Sequence, residues 1–123
     1  MAAPNLVTIA SMVQKLLVSQ QLTATTETVV YTVPTGQAVK LAQGSLCNIT
    51  GSAVTVTLSL IQSGGTVGDG THRVINSYSL GANDTLPLGD YLGGHMLGDG
   101  DKIAVTAGTA NAIDVVLSGA VSA

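Results

Sequence analysis

The stretch Ala53-Val54-Thr55-Val56-Thr57-Leu58-Ser59-Leu60-Ile61 decides how this chain folds. Apolar and small hydroxyl side chains alternate along it with period two, and successive residues of a β-strand point to opposite faces. The pattern predicts a strand with Val54, Val56, Leu58 and Leu60 on a dry face. Thr55, Thr57 and Ser59 are then left to meet water or a neighbouring subunit. Val, Ile and Thr are also the residues that best fit a pleated, half-buried surface.

Outward from this strand the same chemistry recurs. Strands are expected over Leu16–Leu22, Thr28–Val33, Ala38–Asn48, Ala53–Gln62, Arg73–Leu80, Thr85–Leu88, Lys102–Ala107 and Ile113–Ser118. Turn residues separate them. Pro34-Thr35-Gly36 combines a fixed φ with a residue free to take a positive one. Thr50-Gly51-Ser52 reads as a hairpin turn. The segment from Ser63 to Thr71 is too long and Gly-rich for a tight turn and reads as an exposed loop. About eight short strands, punctuated every ten or so residues, predict an all-β fold, an antiparallel β-sandwich or jelly roll. No helix of substance interrupts them, which excludes a parallel βαβ arrangement.

Residues 1–14 stand apart as an N-terminal arm before a sandwich domain over 15–123. Leu6, Ile9, Val13 and Leu16 have helix-like spacing, but Val7, Thr8 and Ile9 are β-branched, so a short helix and an extended segment both remain open.

With 123 residues the chain is one domain, large enough to bury roughly two-thirds of its unfolded surface. Phe and Trp are absent, so aliphatic side chains must fill the core. Only 9 % of residues are charged, against about 25 % in ordinary soluble domains. A surface this neutral has little charge-based protection against association, which suits a subunit of an assembly. The net charge is −3, and Lys15, Lys40, Arg73 and Lys102 are spread along the sequence without a basic stripe. Nucleic acid is therefore not an expected partner. No apolar run reaches membrane-spanning length, and the N-terminus lacks the basic region of a secretory leader. Cys47, the single cysteine, has no internal disulfide partner and reads as a structural thiol. Asn48-Ile49-Thr50 and Asn83-Asp84-Thr85 read as turn chemistry.

Convergent titratable groups are scarce. His72 and His95 are the only histidines, and no Gly-x-Ser-x-Gly elbow accompanies them. One Cys and two histidines far apart in sequence do not make a zinc site. Gly98-Asp99-Gly100-Asp101 has calcium-like composition but no closing Glu, and Asp with Gly is what a tight turn requires. Glu27 is the only glutamate, which leaves little for a carboxylate acid/base pair. Tyr31, Tyr78 and Tyr91 read as core-edge packing. The expectation is a protein with no enzymatic activity, cofactor or metal.

Three blocks resemble a group of small β-rich virion proteins of tailed bacteriophages. They are Tyr31-Thr32-Val33-Pro34-Thr35-Gly36, then Leu46-Cys47-Asn48-Ile49-Thr50-Gly51-Ser52-Ala53-Val54-Thr55-Val56, then Gly98-Asp99-Gly100-Asp101-Lys102-Ile103. Their order and spacing match over residues 16–118. The resemblance implies a virion structural part located on the outer capsid surface or the tail, assembled in the host cytoplasm, with no catalytic residues to carry over. A capsid decoration protein that stabilises capsomer contacts is the first expectation, with a homotrimer as the simplest closed arrangement. Its partners would be its own copies and the major capsid protein or tail proteins. Leu6, Val7, Ile9, Met12 and Val13 of the arm are the expected partner-binding residues. A minor tail or baseplate protein is the alternative. A carbohydrate-binding module using Tyr78, Tyr91 and the 63–72 loop ranks lower, and a small hydrolase using His72 or His95 ranks last.

Overall fold

The computed structural model describes residues 12–122. The elements in chain order are β1 (Met12–Gln21), β2 (Thr28–Thr32), β3 (Val39–Asn48), β4 (Val54–Ile61) and β5 (Arg73–Leu80). After them come β6 (Thr85–Pro87), a one-turn helix α1 (Gly89–Leu92), β7 (Met96–Leu97), β8 (Lys102–Ala107) and β9 (Ile113–Ser122). Nine strands form two antiparallel sheets, and the fold is the expected all-β sandwich. The first sheet, sheet A, runs β1-β9-β3-β6, with β7 also pairing β3; the second, sheet B, runs β2-β8-β4-β5.

One expectation about connectivity changes. Thr50-Gly51-Ser52 is not a hairpin turn, because β3 lies in sheet A and β4 in sheet B. The chain crosses the sandwich there. Asn48, fully buried, clamps the crossing: its Nδ2 donates to the carbonyls of Ser52 (2.8 Å), Leu80 (3.1 Å) and Gly81 (3.1 Å). Its Oδ1 accepts from the backbone N–H of Thr50 (3.0 Å) and from the Thr50 hydroxyl (2.8 Å). Asn48-Ile49-Thr50 is thus turn chemistry, as its composition predicts. Among the described residues the only sequence-adjacent strands paired with each other are β4 and β5, joined by the Gly-rich loop.

Strand bounds also move. The first strand begins at Met12 instead of Leu16, and the last runs to Ser122 instead of Ser118. β7 and α1 are additions, and both serve the β3 edge. β6 pairs with Ser45–Cys47 of β3 and β7 with Val39–Lys40, while α1 fills the interval between them. Leu88 and Leu92 from this segment are fully buried.

The core is aliphatic throughout. Leu41, Leu46, Val56, Leu58, Leu80, Ile103, Val105, Ile113, Val115 and Leu117 meet between the sheets with 0–1 % exposure. Burying each such side chain contributes about 1.5–3 kcal/mol before the cost of ordering it. Alternation along β9 puts Ile113, Val115, Leu117 and Val121 inside, as a half-buried strand should.

The alternation of β4 is only partly as expected. Val54, Val56 and Leu58 are buried on the inner face and Thr55 is exposed. Thr57 and Ser59, however, are buried on the outer face at 8 % and 1 % exposure, while Leu60 is only half-buried. Thr57 Oγ1 accepts the backbone N–H of Ser77 (2.9 Å), a residue with φ of 52° where the β4–β5 register slips. The hydroxyl satisfies a donor that the ladder leaves over.

Candidate functional site

The two outer faces of the sandwich differ, and the difference locates the site. Over sheet B the Gly-rich loop after β4 folds back across the strands. A Cβ added at Gly65 would lie 2.7 Å from Ile61 Cγ2. Further along, the N–H of Gly68 donates to the Glu27 carboxylate just before β2. Thr26, Glu27, Thr106 and loop residues 67–70 line a common cleft. The loop is exposed, as expected, but it is also a roof. Ile61, Ser59 and Ala104 beneath it are buried, and the Ser59 hydroxyl has no hydrogen-bond partner.

The loop carries its own order. Asp69 Oδ1 accepts the Thr71 hydroxyl (2.6 Å) and the Thr71 N–H (3.0 Å), and these bonds hold its carboxyl below the ordinary 3.8. Asp99 accepts the Gly36 N–H (3.1 Å), while Asp101 accepts the N–H groups of Ser63 (2.9 Å) and Gly98 (2.8 Å). These carboxylates tie three loops together at one end of the sandwich. Among the described residues no three His, Cys, Asp or Glu side chains are placed to share a metal ion.

Among the described residues sheet A has no such cover. Register places residues in transverse rows on its outer face: Gln14–Ala120–Lys40, Leu16–Ser118–Gln43, Ser19–Val116–Ser45 and Gln21–Asp114–Cys47. Leu16 is 57 % and Val116 38 % exposed. Both neighbours of β9 bulge near Ser118, β1 between Leu16 and Val18 and β3 between Leu41 and Gln43. Bulges sharpen local twist, and small residues on β9 lower the floor between them. Gly119 is required there, because a Cβ would collide with the Lys40 carbonyl oxygen. The result is a groove of about 530 Å³ floored by Ser118, Gly119 and Ala120 and walled by Gln14, Lys15, Lys40 and Gln43. Lys40 lies on this face in the row with Gln14, Lys15 borders the groove but alternates to the other face of β1, and no carboxylate lines it.

Beside the groove runs β1, ten residues long and paired only with β9 among the described residues. An edge strand presents a row of backbone donors and acceptors that can pair with another chain. The opposite edge of the sheet is closed by short pieces, β6 and β7 with α1 between them.

Of the expected partner-binding residues, Met12 and Val13 stand at the start of β1, with Val13 half exposed. Leu6, Val7 and Ile9 lie outside the described residues. Cys47 is half-buried on the outer face of sheet A. Tyr31 packs at the core margin, and burial raises its pKa above 10.0. Tyr78 on β5 and Tyr91 on α1 are exposed on different sheets. His72 and His95, separated in sequence, line one groove with Met96 and Asp101; both Asp101 oxygens there already accept backbone N–H groups. The shared row of Gln14 with Lys40 escapes sequence reading, because their spacing carries no signal without the β1–β9–β3 order.

No helix among the described residues is long and apolar enough to cross a membrane. Comparison with protein-family models, curated proteins and solved structures finds no match to this chain.

Proposed function

We propose that this chain is a structural protein of a tailed-phage virion, a capsid decoration protein that sits on the outer capsid surface and stabilises contacts between capsomers. The observation that carries the reading is the uncovered outer face of sheet A beside the ten-residue edge strand β1. That face holds few charges, exposes Leu16 and Val116, and presents an edge able to accept another chain. It has the composition of an interface more than of a solvated surface. The three sequence blocks that resemble phage virion proteins point the same way.

Function in this reading is packing. Copies arranged around a threefold axis satisfy one another's interfaces without leaving an open edge, which makes a homotrimer the simplest assembly. Residues 1–11 precede β1 in sequence, and Leu6, Val7 and Ile9 are the apolar side chains they would bring to a contact. Burying those side chains on a capsid protein or a neighbouring copy, at roughly 25 cal/mol per Å², offsets the entropy of ordering them.

Cryo-electron microscopy of purified virions of the encoding phage tests this. Density for the sandwich repeating on the head lattice is the expected result. Density confined to the tail would reassign the protein to a tail or baseplate part. Particles that lack the chain would overturn the virion reading altogether.

A further inference from the structure

Packing through sheet A leaves the charged cleft on sheet B without a use. Between the roofing loop and the strands lies an opening of about 580 Å³, lined by Thr26, Glu27, Thr106, Arg73 and loop residues 67–70. Strand register puts the sheet residues on one face. Thr106 pairs with Thr57 and Arg73 with Ser59, and both partners belong to the outer face. Glu27 precedes Thr28, which pairs with the inward Val105, so alternation turns Glu27 to the same outer side. We infer that this cleft binds a neutral sugar, whose hydroxyls donate to Glu27 and Asp69 and whose oxygens accept from Arg73.

The balance of donors and acceptors selects the ligand. Glu27 Oε2 accepts the Gly68 N–H, and Asp69 Oδ1 accepts the Thr71 hydroxyl and N–H. Among the described residues the second oxygen of each carboxylate accepts no hydrogen bond. Arg73 Nη1 donates to Asn76, while its Nη2 reaches the loop, 3.6 Å from where a Cβ on Gly70 would stand. An anionic ligand would face two carboxylates for one guanidinium. A metal ion would face that guanidinium, and among the described residues no third ligand joins the two carboxylates. A sugar carries no charge, and each of its hydroxyls both donates and accepts. Bonds from such hydroxyls to ionised side chains are the stronger kind. Val67, partly exposed on the loop, offers apolar surface to pyranose C–H groups. Opposite Arg73, the Ser59 hydroxyl is buried under the loop, a polar group that the chain itself leaves unsatisfied. Neither Tyr78 nor Tyr91 lines the cleft, so this is not an aromatic stacking platform.

Proton–nitrogen correlation NMR of the full-length chain tests the inference. Glucose, galactose, mannose and N-acetylglucosamine are each added to about 100 mM, because a ligand this small in an open cleft binds in roughly the millimolar range. With at least one of them, saturable shifts confined to amides around Gly68, Asp69, Gly70 and Thr106 are expected. Glu27→Gln keeps an acceptor for Gly68, and Arg73→Gln removes the guanidinium. Each should weaken that binding about tenfold while the rest of the spectrum stays native. Tyr78→Ala/Tyr91→Ala should bind as the native chain does. No saturable shift with any of these sugars would overturn the inference. So would binding that survives both cleft variants or is lost with the tyrosines. Calcium chloride and sodium phosphate are titrated separately, and a response to either at lower concentration than to every sugar would make the cleft an ion site instead. The measurement uses the free protein, so its failure is distinct from failure of the virion reading, which is scored on particles.

Discussion

The two sheets are built from the same residue types, yet one outer face is closed and the other is open. Sheet B uses eleven residues between β4 and β5 to roof its own strands, with Gly65 against Ile61 and Gly68 bonded to Glu27. Among the described residues, sheet A leaves Leu16, Val116 and a groove of about 530 Å³ uncovered. Among the described residues the chain covers one face with its own loop and leaves the other bare, with apolar surface exposed. In the proposed assembly, sheet A is the side that would meet other molecules.

The largest effect should come from placing the same charge on the two outer faces. Ser59→Asp puts a carboxylate beneath the roof, where the side chain is 1 % exposed and has no partner. Burying an unpaired charge should cost on the order of 3–5 kcal/mol, enough to unfold a marginal domain. Val116→Asp, at 38 % exposure on sheet A, should cost less than about 1 kcal/mol and weaken association instead. Urea unfolding followed by circular dichroism measures both. Equal losses would erase the distinction between the faces.

Next in size is the roof contact. Gly65→Val adds atoms where even a Cβ comes within 2.7 Å of Ile61 and 3.0 Å of the Gln62 carbonyl oxygen. Overpacking of this kind costs about 1–3 kcal/mol. Hydrogen exchange should rise first in the loop and at the Ile61 end of β4. A variant with native stability and exchange would mean that the loop does not rest on the sheet.

Smaller, and opposite in sign, is Ser59→Ala. The hydroxyl is buried without a partner, so the native state carries its desolvation with no bond in return. Removing it should leave stability unchanged or raise it by about 1 kcal/mol. A loss above that size would show that the hydroxyl is bonded in solution.

Much of this architecture is legible in the sequence. Period-two alternation marks β3, β4, β8 and β9, because a strand with one dry face must show it. Turn residues mark where the chain bends but not which sheet it enters. Thr50-Gly51-Ser52 therefore reads as a hairpin although it crosses between sheets. Alternation also assigns two faces to β4 without saying what lies over the second, so the burial of Thr57 and Ser59 depends on the slipped β5 register and the returning loop. The two residues of β7 and the single turn of α1 are too short for any period to show. Gln14 and Lys40 share a row only because β1 and β3 both pair with β9, a long-range fact that residue spacing does not encode. The bare face needs the whole topology before it can be seen.

The finest test concerns how the roof is held. Asp69 is fully exposed, and its lowered pKa comes first from the Thr71 hydroxyl and then from the Thr71 N–H. A carboxyl whose folded pKa lies below the unfolded value binds fewer protons when folded, so stability falls as the unfolded state gains protons. Its contribution is complete above the ordinary 3.8 and fades as pH drops through the lower folded value. Asp69→Asn should therefore lower the thermal midpoint slightly at neutral pH, and the gap to the native chain should close below pH 3.8. Glu27 can be separated from this by testing Glu27→Gln beside it, since its carboxylate accepts from Gly68 on the same loop. Neither substitution should change association through sheet A, because neither residue lies on that sheet. A loss of association in either variant would show that the roofed face also meets a partner, and the contrast between the two sheets would then no longer locate the interface.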